Sequence, residues 1–379
     1  MKNRRAKGEG ALYKKADGRW YATLDLGWSG GKRRRREVSG KTRQEAAAKL
    51  ATLIREREDG LDVQAGRITV ADLLQRWLSA LDVRPTTAHR YEEICRLNLT
   101  PAVGQVPIGK LTPQHVEELM ASMVAAGASP RSAMHARSGL RAALHAGERW
   151  GLVGRNVASL AKPLQVPQHE VRPLSPADAR AVLAAVRGDR LAPLITVALA
   201  VGLRQGEALG LRWTDVDLDG AAPMLTVRRT LTRTDGEWSF GEPKTTRSRR
   251  TIPLPSPVVS ALRQHRTHQL EERLQAGPLW EADRWEHLVF TTETGGPLST
   301  FHVSRRFRML IAEAGLPRMR YHDLRHGAAS LMAAQGVPVR AAMELLGHSQ
   351  ISTTMDIYAH VAPELVKEAT DRVAAALWT

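Results

Sequence analysis

One cysteine, Cys95, occurs in 379 residues, which excludes an internal disulfide and any cysteine zinc cluster. Long apolar runs are missing too. The longest, residues 191–203, is too short to cross a membrane, contains Pro193 and leads into Arg204. The basic N-terminus lacks the apolar stretch of a secretory leader. No internal repeat or low-complexity tract occurs. Acidic residues are scarce, 39 Asp+Glu against 55 Lys+Arg, for a net charge of +16. These gaps predict a reduced, cytoplasmic chain with no membrane segment.

What is present starts with mass enough for more than one domain and 43% apolar residues, enough for real cores. The positive excess favours a polyanionic partner, with nucleic acid and an acidic membrane surface as the main candidates. It is unevenly spread: residues 1–66 carry 17 Lys+Arg against 9 Asp+Glu, half of the net charge.

Turn and capping signals divide the chain. In residues 1–62 a short strand at 10–14, an alternating strand at 20–28 and a basic strand at 32–38 are separated by Asp17-Gly18 and Ser29-Gly30-Gly31. Thr42, with Glu45 three positions on, then opens a helix toward Arg57. Arg33, Arg34, Arg35 and Arg36 on the third strand are candidate nucleic-acid contacts, since a small sheet can enter a major groove. Residues 67–162 read as four helices, opened by Thr69/Asp72, Pro85, Thr112-Pro113 and Ser129-Pro130. The second of these ends near Leu99, and the last carries Arg131, Arg137 and Arg141, which suit either DNA or a wet face. A proline-punctuated linker spans 163–174. Residues 175–379 open on a capping box at Ser175/Asp178 and continue as helices to Trp213. Strands follow at 224–233, at 238–240 around the turn Asp235-Gly236, and at 249–254. Helices return near 257–276, 300–314, 323–335, 339–346 and 363–376. The predicted fold class is multidomain and mainly α with small β-sheets.

The chemistry-bearing residues fall after position 200. Cleaving a phosphodiester with a side chain builds extra negative charge on the non-bridging oxygens, and guanidinium forks suit those oxygens best. A tyrosine, with an ordinary pKa of about 10, needs a base or a positive field to attack. The leaving oxygen needs a general acid. Arg204 follows Gly202, which can cap one helix in the left-handed conformation, so Arg204 would start the next, where free N–H groups favour anions. Glu207, three positions on, reads as its salt-bridge partner. His322, Arg325 and His326 are spaced to share one face of a short helix. The two histidines also have zinc-ligand spacing, but no glutamate follows the first and Arg325 would repel a cation. His348 follows Gly347 at a helix end, where a histidine often serves as a cap.

These residues sit in four motifs that resemble the catalytic domain of the tyrosine recombinases, the phage-integrase family. They are Thr196-Val197-Ala198-Leu199-Ala200-Val201-Gly202-Leu203-Arg204-Gln205-Gly206-Glu207, His322-Asp323-Leu324-Arg325-His326, Leu346-Gly347-His348-Ser349 and Thr353-Thr354-Met355-Asp356-Ile357-Tyr358-Ala359-His360. The resemblance implies that Arg204 and Arg325 clamp the scissile phosphate, that Glu207 supports Arg204, and that His322 acts in proton transfer. His348 becomes a second phosphate ligand or proton carrier. It implies that Lys244 protonates the leaving 5′-oxygen, although Lys244 to Arg250, with Arg247 a candidate contact, also suits a plain phosphate-gripping loop. Tyr358 becomes the nucleophile, with Tyr321 its competitor, and His326 a packed supporting histidine.

Residues 1–62 are similar to an arm-type DNA-binding domain, 67–162 to the helical core-binding domain, and 175–379 to the catalytic domain of longer integrases. The implied activity is site-specific recombination through a 3′-phosphotyrosyl intermediate, integrating and excising a mobile element. No metal or cofactor is called for, because the ester keeps the bond energy. Implied partners are double-stranded DNA attachment sites, a homotetramer in the synaptic complex, and an excisionase and a DNA-bending accessory protein, with no membrane. The expected place of action is the cytoplasm, at the nucleoid. Two alternatives stay open: a type IB topoisomerase-like nicking enzyme and a non-catalytic DNA-binding regulator.

Overall fold

A computed structural model describes residues 10–29, 32–58, 68–167, 173–242, 249–281 and 284–347, with Ile351, Met355, Tyr358, Ala374, Leu377 and Trp378 beyond them. The chain divides into two compact units, Met1–Gln168 and His169–Thr379.

In the first unit, β1 (Ala11–Lys14), β2 (Trp20–Ser29) and β3 (Lys32–Gly40) form an antiparallel sheet in that order. The alternation in β2 sends Ala22 and Leu24 inward against Ala46, Leu50 and Leu53 of α1 (Arg43–Glu58). Thr42 Oγ1 accepts the Glu45 N–H at 3.1 Å, and the Glu45 carboxylate takes the Lys41 N–H at 2.8 Å. A bulge between Asp25 and Gly27 shifts the β2–β3 register.

The same unit holds a helical bundle: α2 (Val70–Ser79), α3 (Pro85–Ile94), a π-helical turn (Cys95–Leu99), α4 (Thr100–Val103), α5 (Pro113–Ala125), α6 (Pro130–Arg149) and α7 (Val157–Leu160). Thr69 and Asp72 close the expected capping box on α2. The helix expected to stop near Leu99 instead passes through the π turn, which buries Cys95 and Leu99, and continues to Val103. Leu140 and Leu144 of α6 lie in the bundle core with Leu73 and Leu74 of α2 and Leu119 of α5.

The second unit runs α8 (Pro176–Ala185), α9 (Ala192–Val201), α10 (Gln205–Leu209), β4 (Val216–Asp217), β5 (Met224–Val227), β6 (Thr230–Thr234), β7 (Glu237–Gly241), β8 (Arg250–Pro253), α11 (Ser256–Ala276), α12 (Thr300–Glu313), α13 (Asp323–Ala334) and α14 (Val339–Leu346). The long apolar run is α9, whose Leu194, Ile195, Val197, Ala198, Leu199 and Val201 are buried. The single strand expected over residues 224–233 is two strands in different sheets: β5 joins β4 and β8, while β6 pairs with β7. The break falls at Arg228 and Arg229, whose guanidiniums both turn to the buried carboxylate of Asp215. The helix expected near 363–376 lies outside the described residues except for Ala374. No helix among the described residues is long and apolar enough to cross a membrane.

Candidate active site

The site is built where α9, α10, β8, α13 and the end of α14 meet. Gly202 closes α9 at φ +68°, and Arg204 becomes the N-cap of α10. Its backbone N–H donates to Glu207 Oε2 at 3.0 Å, and its Nη1 to Glu207 Oε1 at 2.7 Å. Its Nη2 reaches across to the Gly347 carbonyl at 2.9 Å. Arg325, in the first turn of α13, donates Nη1 to the Gly202 carbonyl at 2.6 Å and Nη2 to the Leu346 carbonyl. Arg250 opens β8 and donates Nε to the Leu345 carbonyl at 2.6 Å and Nη2 to Glu207 Oε2 at 3.0 Å. Three successive carbonyls at the negative end of α14 are thus each met by a different arginine.

Glycine at 347 makes this closure possible. It ends α14 at φ +67°, and a Cβ there would come within 2.8 Å of Arg250 Nη1. Glu207, 2% exposed, holds the collar's counter-charge. Burial opposes its ionisation, yet Arg250 and Arg204 beside it hold the carboxyl below the usual carboxylate range. Three guanidiniums around one carboxylate leave a positive excess aimed at an anion. Burial, then the Arg204 charge, push Arg325 down to about 9, so it stays protonated at neutral pH. The Arg204 side chain is 37% exposed, so its fork is the open edge of the collar.

His322 is the N-cap of α13 rather than a residue within it, and its ring meets His326 edge-on with centroids 5.0 Å apart. Arg325 does not share their rim: it turns inward with the buried Leu324 and Ala328. The ring of His322 keeps solvent contact, but partial burial, then the charges of His326 and Arg325, push it down to about 4. It is therefore neutral at pH 7. Tyr321 is packed edge-on against Phe307, its buried hydroxyl has no hydrogen-bond partner among the described residues, and burial raises its pKa. It cannot reach a phosphate. The Tyr358 hydroxyl donates to the Val337 carbonyl, between α13 and α14, at 2.8 Å, and partial burial raises its pKa. Lys244, Arg247 and His348 lie outside the described residues.

Sequence reasoning placed Arg250 only at the end of a basic loop and not in the collar. Arg250 and Ile252 of β8, and Leu254 just after it, alternate inward, and an arginine in core register is a buried charge that must have partners. A cavity of about 640 Å³ opens beside it, lined by Arg228, Arg229 and Arg249.

The candidate DNA contacts separate by burial. Arg35 lies opposite Asp25, and Arg33 pairs with that carboxylate, which places both on the sheet face away from α1. Trp28, opposite Arg33 and 74% exposed, joins them because the bulge ends the inward alternation at Leu26. Arg36 lies opposite Leu24 on the helix-covered face, half-buried, and Arg34 sits at the bulge opposite Gly27. On α6, Arg131 and Arg141 are exposed. Arg137 is not available to DNA. It falls on the buried stripe with Ala133, Ala136 and Leu140, and donates to the Ala161 carbonyl at 2.9 Å and the Ser159 carbonyl at 3.4 Å.

The sequence model of the phage integrase family matches residues 172–364, and that of the phage integrase N-terminal SAM-like domain matches residues 69–124. An integrase of Streptomyces ambofaciens is 34% identical over 380 residues, covering 94% of this chain and 94% of that protein. A XerC-like tyrosine recombinase of Caldanaerobacter subterraneus is 30% identical over 354 residues, covering 88% of this chain and 90% of its own length. Among solved structures, the Tn1549 transposon integrase in complex with transposon right end DNA superposes with a TM-score of 0.69 at 23% identity, covering 81% of this chain and 99% of that one. A lambda integrase dimer bound to a COC′ core site gives 0.59 at 16% identity, covering 94% and 96%. The chain belongs to the phage integrase family and is a tyrosine recombinase, an enzyme of site-specific DNA strand breakage and rejoining.

Proposed function

We propose that this recombinase integrates and excises a mobile element by cutting each DNA strand with Tyr358. The phenolic oxygen attacks the scissile phosphorus, a bond to the 3′-phosphate forms, and the bond to the 5′-oxygen breaks. The Tyr358 proton passes to neutral His322, and the leaving 5′-oxygen takes a proton from Lys244. Arg204 and Arg325, with His348 as a further ligand, hold the charge that grows on the non-bridging oxygens. A 5′-hydroxyl from the partner duplex then attacks the phosphotyrosyl bond and reverses each transfer. His326 supports His322.

The observation that carries this reading is the collar, in which Arg204 and Arg325 are drawn together by Glu207 and the end of α14. The arginines around the adjoining cavity extend that positive surface and suit the flanking DNA backbone. Arg247, next to them in sequence, is assigned to the same backbone. Tyr358, held at the Val337 carbonyl, must exchange that partner for the phosphate when DNA is bound.

Partners follow from the same reading. They are double-stranded attachment sites, bound by the arm-like sheet in residues 1–62 and by α6, and three further copies of the chain. A lambda integrase tetramer has been solved bound to a Holliday junction, with a TM-score of 0.59 to this chain. An excisionase and a DNA-bending protein complete the set, and the reaction takes place at the nucleoid.

The test is a nicked suicide duplex incubated in EDTA. Wild type and Tyr321→Phe should form an SDS-stable protein–DNA adduct, and Tyr358→Phe should form none. An adduct that survives Tyr358→Phe would overturn the assignment.

A further inference from the structure

We infer that Arg250 is a positioning residue for strand cleavage, fixing Glu207 and the end of α14 so that Arg204 and Arg325 meet the phosphate in one geometry. This rests on the reading of the collar as the seat of the scissile phosphate.

The first support is where the side chain lies. Arg250 pairs across the sheet with Val227 and points with Ile252 into the core, leaving its side chain 7% exposed. A guanidinium in that place is costly to desolvate and persists only when its donors are spent on good acceptors. Two of them go to Glu207 Oε2 and the Leu345 carbonyl.

The second support is what those acceptors touch. The other oxygen of Glu207 receives Arg204, and the carbonyls after Leu345 receive Arg325 and Arg204. Arg250 therefore holds both anchors of the clamp at once, and moving it would shift both phosphate-facing forks together. Only a planar fork can reach the two acceptors in fixed directions, and an ammonium supplies charge without that geometry. Gly347 packs on the guanidinium with no side chain to intervene, so the same contact sets the backbone at the end of α14.

The third support is charge. Glu207 alone would neutralise Arg204. With Arg250 sharing that carboxylate, the collar keeps an excess of positive charge for the phosphorane.

The test uses the full-length protein and a nicked duplex carrying the crossover sequence, read from the circular form of the element that bears the gene. Adduct formation is followed in a single turnover. Arg250→Gln should slow it about 100-fold, the scale of an ångström-sized misplacement, with duplex affinity unchanged. Arg250→Lys should recover part of that loss.

A second duplex carries a neutral methylphosphonate at the scissile position. Its transition state bears one negative charge fewer, so the Arg250→Gln deficit should shrink to about tenfold or less. A merely structural arginine would show equal deficits on both duplexes. Should Arg250→Gln not fold, Arg250→Lys carries the test through its phosphate-to-methylphosphonate rate ratio, which must differ from wild type. Wild-type rates in Arg250→Gln, or an unchanged ratio in both variants, overturn the inference. A wild-type protein that forms no adduct on either duplex overturns the reading of the site and this inference with it.

Discussion

Arg33 and Arg35 lie in the open on strand β3 with the Asp25 carboxylate beside them, whereas Arg204, Arg250 and Arg325 are folded around Glu207 and three carbonyls. The chemical group is the same and the structural investment is opposite. An exposed guanidinium adapts to any polyanion, but salt screens it beyond roughly 8 Å. A buried one must be desolvated and bonded in advance, and in return it points in one direction before the substrate arrives. The first arrangement suits affinity and steering, and the second suits a transition state whose charge appears at a fixed place.

Arg325→Ala should break this contrast most severely. It removes a donor of the proposed clamp and strips the buried Gly202 and Leu346 carbonyls of theirs. Single-turnover cleavage should fall about 1000-fold. Urea unfolding should show a loss of about 3 kcal/mol. A variant that cleaved within tenfold of wild type would show that burial confers no catalytic advantage on this arginine. Gly202→Ala should come next. It forces a Cβ into left-handed backbone and against the Leu346 side chain, lowering urea stability by about 2 kcal/mol.

On the exposed side, the Arg33→Ala/Arg35→Ala double variant should leave urea stability within about 0.5 kcal/mol of wild type. It should flatten the log–log salt dependence of duplex binding by about 2. Arg36→Ala, on the helix-covered face, should change that slope less. α6 offers the same contrast inside one helix. Arg137→Ala should cost about 1–3 kcal/mol and leave the salt slope alone, and Arg131→Ala should do the reverse.

A further expected effect is a pH one. The folded state holds His322 down to about 4 against 6.5 when free. Between those values the unfolded chain binds the extra proton, so stability rises with pH across that window and is lost as pH falls through it. Replacing His322 by Asn should flatten the pH dependence of the urea midpoint there.

Much of this was legible in the residues. The strands and helices announced by Asp17-Gly18, Thr69/Asp72, Ser175/Asp178 and Gly202 follow local rules of turns and caps, which a sequence states directly. Arg204 and Glu207 were found together because they are three positions apart. Arg250 was hidden because its partners lie 43 and 95 positions away. Arg137 was misplaced because an arginine among alanines reads as a wet face until the carbonyls at the end of α7 supply its acceptors. The split of β5 from β6 depended likewise on Asp215, a buried carboxylate outside the strand pattern.

In the proposed reaction the oxygen of Tyr358 becomes joined to a 3′-phosphate beside the arginine collar. Trapping the adduct on a suicide duplex, digesting protein and DNA, and locating the residual nucleotide by tandem mass spectrometry measures this directly. A 3′-nucleotide is expected on the peptide that carries Tyr358. A nucleotide on any other residue, or one linked through its 5′-phosphate, would contradict it.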